Sequence, residues 1–340
     1  ENLAQKITRG VTSPKCRDAT WPRAKDDGAR SPRLAILPFV YDGIQSPDQP
    51  QFSHIVSEAM TDTCAWQHGV EVISRTSTLS YRNSAKNLPL IAAELKADYV
   101  VEGEIEHRGE NLLLAARLIH STRDSVIASE EEECRNSGLS AAYAARELLA
   151  RLLKHMNINA ELRTRGNDDP GLPWRLHGYS LLKESNPELQ EQAHSAFHRA
   201  LELNGEDASA WAGVALTKLC HCNNGVLGAD VKQLSEEAGE AAGKALALNP
   251  RDPTALFVTG WLEDDFRWNY DKAEDLYKQA MLADPFSPSS YQGLAGVLIK
   301  KKRLAEAVEM GEKAYRMDPA SMWSILARYW TLVAARQFRK

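Results

Sequence analysis

The hydrophobic rhythm of the chain changes once, near its middle. Over the first half, short apolar runs alternate with helical stripes. Arg33-Leu-Ala-Ile-Leu-Pro-Phe39 is a compact apolar run suited to a strand buried on both faces. Pro47 and Pro50 predict a helix running through Met60 to about Gln67, with Ile55, Ala59 and Met60 at helical spacing. Gly69 stops it, Val70–Ile73 reads as a second strand, and Ser74–Thr78 reads as a polar turn. Leu88–Ala97 is helical. Three strands then follow in close succession, Asp98–His107, Asn111–Ser121 and Asp124–Glu133, joined by Gly109-Glu110 and Thr122-Arg123. Connections this short predict an antiparallel meander. A last helix, Ser140 to about Met156, carries Ala144, Leu148, Leu152 and Leu153 on one stripe. The predicted order is β-α-β-α-β-β-β-α.

From about Trp174 the pattern becomes a repeat of small, aromatic and helix-ending residues. Ala193, Phe197 and Ala200 form its first instance. Ala238, Ala242, Ala245 and Pro250 form the second; Ala273, Tyr277, Ala280 and Pro285 the third; Ala307, Gly311, Ala314 and Pro319 the fourth. Alanine lets two helices approach closely, and proline past the last turn stops the second helix. From residue 200 to 245 to 280 to 314 the intervals are 45, 35 and 34 residues. The period of a tetratricopeptide hairpin is about 34 residues. The long interval locates an insertion at Cys220–Lys232. First helices carry Trp174/Gly178, Trp211/Val214, Leu256/Gly260 and Tyr291/Leu294, and a closing helix is expected from about Ser321 to Arg339. Such hairpins stack into a solenoid whose first helices line a concave face.

Composition narrows the class without naming a chemistry. The 340 residues are 43% apolar and 26% charged, with a net charge of −5, which advertises neither a nucleic-acid nor a membrane surface. No apolar run approaches the roughly 18 residues a membrane span needs. Five scattered cysteines are not a disulfide framework and fit a reducing compartment. Residues 1–33 hold eight basic and four acidic side chains, three prolines and no apolar periodicity, which reads as a solvated linker. The chain begins at Glu1, so a trimmed or processed piece of a longer protein is one expectation.

Phosphate-loop, dinucleotide, zinc-protease and serine-hydrolase signatures are all missing from the sequence. Cys220-His221-Cys222 offers soft ligands but no second pair, so a partly buried helix end is the simpler reading. His194 and His198 stand four apart, a chelating spacing, though an exposed outer surface accounts for them. Glu130–Glu133 reads as a solvated strand edge. Ser74-Arg75-Thr76-Ser77 follows a strand, where a loop binds an anion or is merely capped. No metal, no cofactor and no catalytic residue is expected.

Leu34-Ala-Ile-Leu-Pro-Phe39, Val72-Ile-Ser-Arg-Thr-Ser77, the run Ala92–Gly103 and the strand Leu112–His120 resemble the TolB-amino-terminal-like domain. Joined to tetratricopeptide repeats with Gly225 and Asp230 in an insertion, the order is similar to the carboxy-terminal part of HilA-type transcriptional activators. The resemblance implies an OmpR-type winged helix-turn-helix upstream, with a membrane span between the halves in CadC-like relatives; certain nucleotide cyclases carry a similar tail. Nothing in residues 1–32 forms a winged helix. The reading is therefore an α+β chain: residues 1–32 a linker, 33–160 a TolB-N-terminal-like α/β domain, 170–340 an all-α tetratricopeptide solenoid. Its implied role is a non-catalytic sensor region, cytoplasmic, or periplasmic if the parent is membrane-tethered. An envelope scaffold and a cyclase tail are the alternatives. Partners are a protein on the concave face, a small-molecule effector, a second copy of the chain, and DNA only through a domain absent here. Phe257, Trp261, Asp264, Gln292 and Lys300 are the concave-face candidates, with Arg75 and Thr76 on the α/β side.

Overall fold

The computed structural model describes residues 31–43, 51–65, 67, 69–82, 84, 86–160, 169–183, 186–223 and 230–336. The expected linker at 1–32, together with Pro47, Pro50 and Gly225, lies almost wholly outside them.

Strand β1 (Arg33–Ile36) is central to a six-stranded sheet because its four residues are all buried. It pairs in parallel with β3 (Glu71–Val72) and β4 (Tyr99–Arg108). Of the run expected at 33–39 only Arg33–Ile36 is strand; a further strand that the sequence pattern did not predict, β2 (Val40–Asp42), follows Pro38 and pairs separately with the outer part of β4. A proline has no amide proton for the ladder, so pairing breaks there. Strands β4, β5 (Asn111–His120) and β6 (Ser125–Arg135) form the antiparallel meander. Gly109, at φ +64°, supplies the left-handed residue that the two-residue β4–β5 turn requires.

Helices α1 (Phe52–Ala65) and α4 (Gly138–Lys154) cover one face of the sheet, through Ile55, Ala59, Met60, Leu148 and Leu152 against Ile36, Val101, Leu114 and Leu118. Helix α3 (Leu88–Leu95) covers part of the other through Ile91 and Leu95 on Leu37 and Val100. The stretch expected to be a polar turn is a short helix, α2 (Arg75–Leu79). Ser74 caps it by accepting from the Thr76 amide, the usual way a serine starts a helix.

Among the described residues four hairpins follow: α5 (Leu172–Leu182) with α6 (Pro187–Leu203), α7 (Ala208–Asn223) with α8 (Val231–Leu248), α9 (Pro253–Trp261) with α10 (Tyr270–Ala283), and α11 (Pro288–Lys300) with α12 (Leu304–Met317). Helix α13 (Met322–Ala334) closes the stack. The insertion is partly absorbed by helix length: α7 runs through Cys220–Cys222 to Asn223, and Asp230 caps α8.

The repeat interlocks through aromatic keys. Phe197 of α6 sits between Gly178 and Gly213, where an added Cβ would lie 2.8 and 2.4 Å from its ring; Tyr277 of α10 sits likewise between Gly260 and Gly293, at 2.9 and 2.5 Å. Each key thus ties its own first helix to the next one. The turns between hairpins also repeat, with Asp207 N–H donating to Asn204, Asp252 to Asn249, Ser287 to Asp284 and Ser321 to Asp318 carbonyls.

The solenoid closes on its own α/β half. At its start α5 packs on α1, and Leu172 and Leu176 join the sheet's core. At its end, the α12–α13 turn returns to α2. Ser77 Oγ donates to Asp318 Oδ1 at 2.6 Å and accepts from the Ala320 amide at 3.0 Å, while the Ser74 amide donates to the Met317 carbonyl at 2.9 Å. The described residues from Pro32 onward thus close into a ring.

Candidate functional site

Inside that ring is a cavity of about 1040 Å³. One side is α/β structure: Glu58, Thr61 and Asp62 of α1, the start of α2, and Arg146 of α4. The other is the concave face, built from α5, α7, α9, α11 and α13 with the turns between hairpins. All seven residues singled out from the sequence, Arg75, Thr76, Phe257, Trp261, Asp264, Gln292 and Lys300, line it.

They line it in different ways. Arg75 is 2% exposed; it donates to the His54 carbonyl at 3.2 Å and stands 3.6 Å from Glu58, so it braces the wall more than it faces a ligand. Gln292 donates to Ser324 Oγ at 2.8 Å, tying α11 to α13. Phe257 packs at a tilt between Trp261 and Tyr277, with ring centroids 5.8 Å apart in both pairs.

Trp261, Asp264 and Lys300 meet because α9 ends in a π-helical turn, Leu262–Phe266, closed by Arg267 N–H donating to the Leu262 carbonyl at 3.2 Å. The wider turn rotates Asp264 and Asp265 toward α11. Lys300 Nζ donates to Asp264 at 2.7 Å and Asp265 at 3.0 Å, and Trp261 Nε1 donates to Asp265 at 2.7 Å. Such one-turn widenings concentrate at functional sites. Burial opposes the Lys300 charge, but its bonds to the two aspartates prevail and raise its pKa; burial raises that of Asp264 despite Lys300. Spacing alone did not reveal this turn, although Trp261-Leu-Glu-Asp-Asp265 is an acidic break in an otherwise apolar helix.

Two further carboxylates escaped the sequence reading. Asp284, in the α10–α11 turn, is pushed up to about 6, first by burial and then by the like charge of Asp62, against the Phe286 amide that donates to it at 3.0 Å. Burial also raises Asp62, partly offset by Arg146. The Asp62 side chain is 53% open to water, but it faces the cavity between the two halves, where the surrounding protein still disfavours its charge. Among the described residues eight carboxylates and five basic groups line the space, so it disfavours polyanions.

Beside the cavity, α1 and α5 bury a histidine pair. His54 Nδ1 and His177 Nδ1 are 3.2 Å apart, with rings stacked at 5.2 Å. Burial and then Arg75 lower both, His54 to about 2 and His177 to about 4.

The remaining sequence candidates lie elsewhere. His194 is not on an exposed surface as expected: it is half-buried between α6 and α7, its Nδ1 3.2 Å from Thr217 Oγ1, while His198 is exposed. Helix packing around Phe197 turns its neighbour inward. Cys220 and Cys222 end α7, and no cluster of three metal-ligating side chains occurs among the described residues. Glu130 and Glu132 on β6 are held by Arg151 at 3.1 and 2.8 Å. Among the described residues, no helix is long and apolar enough to cross a membrane.

Comparison with known proteins gives a partial placement. Residues 30–149 match the family model described as HilA/YgeH-like transcriptional regulator, second domain. A curated relative, putative adenylate cyclase 3 of Rhizobium meliloti (strain 1021), is 24% identical over 250 residues, covering 68% of this chain and 40% of the relative. The chain thus spans well under half of that protein. Among solved structures, TTC0263, a thermophilic TPR protein of Thermus thermophilus, overlaps 58% of this chain and 91% of its own at 18% identity and a TM-score of 0.39. YrrB, a TPR protein with an unusual peptide-binding site, overlaps 50% of this chain and 79% of its own at 16% identity and a TM-score of 0.32. Scores this low carry no functional argument.

Proposed function

We propose that this chain is the non-catalytic, effector-binding region of a bacterial transcriptional activator, and that the effector occupies the cavity enclosed by the ring. The observation that supports this is the closure itself. An open concave face suits an extended peptide, whereas a face roofed by the α/β half admits a compact occupant, a small molecule or a short peptide segment. Pockets of this size and mixed aromatic and polar lining are typical ligand sites. The match of residues 30–149 supports the regulator reading. Under it, a winged-helix domain elsewhere in the parent protein contacts DNA, and the state of the ring sets its posture.

An effector acts only through different affinities for two states. The two states proposed are the ring closed at Ser77–Asp318 and the ring open there. Phe257 and Trp261 supply the apolar wall, and Asp264 with Lys300 the polar anchor. The relative called an adenylate cyclase favours a second reading, the regulatory tail of a cyclase, with the same cavity and a different output domain.

The test is a thermal-shift screen of the purified chain against small metabolites and short peptides, followed by calorimetry. A hit whose binding is lost in Trp261→Ala and Lys300→Ala, with both variants folded, is the expected result. No shift with any compound, together with a stable complex with a folded protein, would sink the effector reading in favour of scaffolding.

A further inference from the structure

The charges that line the cavity do not cancel. Among the described residues eight carboxylates stand against five basic groups there. Most are already matched. Lys300 is held by Asp264 and Asp265, Arg175 by Asp169 and Asp207, and Glu58 takes both Lys183 at 2.5 Å and Arg75 at 3.6 Å. Asp252 and Asp318 are each 3% exposed, and they accept from the Ala255 amide and the Ser77 hydroxyl. Asp62 and Asp284 remain. Arg146 comes no nearer to Asp62 than 3.9 Å, and Asp284 accepts the Phe286 amide at 3.0 Å. Lys183 bears on both from farther off, being held by Glu58.

The turn at Asp284 does not need a charge. At the same place in the two preceding hairpins stand Asn204 and Asn249, whose side-chain oxygens accept the Glu206 and Arg251 amides, both at 3.1 Å. A neutral amide serves that turn as well as a carboxylate does. Away from the acidic end the wall is apolar. Helix α11 runs about 20 Å from the turn holding Asp284 to Lys300. On its cavity side an added Cβ at Gly296 would meet nothing within 4 Å. Phe257 and Trp261 of α9 line the same space, as do Trp323 and Trp330 of α13, which are 52% and 56% exposed.

We propose, on the basis of the effector reading, that the occupant of this cavity is an organic amine with an apolar body. Its ammonium group is set against Asp62 and Asp284, and its body lies over Gly296 between the aromatic walls. The cation supplies what the protein leaves out at the acidic end, since two carboxylates in a partly enclosed space repel each other. The body covers the indole faces. A short alkanediamine, lacking such a body, would leave them bare.

Calorimetry on the full chain tests this with phenylalkylamines of increasing chain length, and with the phenylalkanols and phenylalkanoates of the same lengths. An amine should bind at least about tenfold tighter than its alcohol, the worth of one hydrogen bond to a charged group, and the acid should not bind. Asp284→Asn, which keeps the turn contact, should bring the amine down to the alcohol's affinity and leave the alcohol unchanged. Asp62→Asn, on an open part of α1, gives the same reading if the first variant fails to fold. Gly296→Leu should fill the space and weaken amine and alcohol alike, with unchanged circular dichroism. Alcohols or acids that bind as tightly as amines, and are lost in Gly296→Leu, overturn the amine class while the effector reading stands. An alkanediamine that matches the best phenylalkylamine overturns the apolar body. Amine binding that ignores both aspartate variants, or no binding by any amine, also overturns the proposal.

Discussion

The α/β half and the repeat half solve the packing problem with different materials. The sheet's core is made of large aliphatic side chains from elements distant in sequence, such as Ile36, Met60, Leu114 and Leu152. The two main clusters of the repeats bury a larger share of alanine, such as Ala193, Ala242, Ala273 and Ala314, beside aliphatics such as Leu219, Val258 and Leu298 and the keys Phe197 and Tyr277. Burying a leucine or phenylalanine contributes about 1.5–3 kcal/mol, and an alanine much less. The repeat half therefore depends on close helix approach and on a few aromatic keys, each tying neighbours only. The two halves should fail differently: the sheet as a unit, the solenoid repeat by repeat.

The largest effect is expected at the keys. Tyr277→Ala leaves an aromatic-sized void between Gly260 and Gly293 and should cost about 3–5 kcal/mol, measured by urea denaturation. In hydrogen exchange the loss of protection should centre on α9–α11 and spare β4–β5. Met60→Ala, at about 2–5 kcal/mol, should instead lower protection across the whole sheet. Equal, chain-wide loss in both variants would show that the ring makes one cooperative unit and would remove the contrast.

Acid probes the seam between the halves. His54 and His177 resist protonation in the folded state, whereas the unfolded chain takes up protons below the ordinary histidine value of 6.5. Stability should therefore fall as pH drops from about 6.5 toward 4. For His177 alone the loss is on the order of 3 kcal/mol. Asp284 has the opposite sign. Its folded value of about 6 lies above 3.8, so the folded state binds more protons between those values and gains stability as pH falls. Melting temperature against pH should flatten in His177→Asn and steepen in Asp284→Asn. A wild-type melting temperature that does not change between pH 7 and 4.5 would contradict the burial of the pair.

A smaller effect is expected at the latch. Ser77→Ala removes a hydroxyl that Asp318 Oδ1 and the Ala320 amide both use, leaving buried groups unsatisfied, at about 1–3 kcal/mol. Exchange should quicken at α2 and the α12–α13 turn before anywhere else. The smallest effect is on Lys300→Ala, at about 1 kcal/mol: the lysine is partly exposed, and burial already favours the neutral form of the Asp264 left behind. That change should weaken effector binding far more than folding, which separates a ligand anchor from a structural strut.

Much of the fold was legible because it is written in short-range patterns. Alternation in Leu112, Leu114, Ala116 and Leu118 exposes the meander, and Phe197 and Tyr277 mark the phase of the hairpins. The strand at Val40–Asp42 and the helix at Arg75–Leu79 were missed. Strand continuity depends on which neighbour accepts the ladder, and a capped turn and a five-residue helix share the same residues. The His54–His177 pair was invisible for a plainer reason: 123 residues separate its members.

What the chain determines by itself is its longer elements, the repeat period, and the side chains that face a concave surface, since periodicity places a residue on a helix face without knowledge of its neighbours. Whether that surface is open belongs to the tertiary structure alone. A small rotation per hairpin, accumulated over four of them, brings Asp318 back to Ser77. That closure turns a groove into a cavity and groups Asp62 with Asp284.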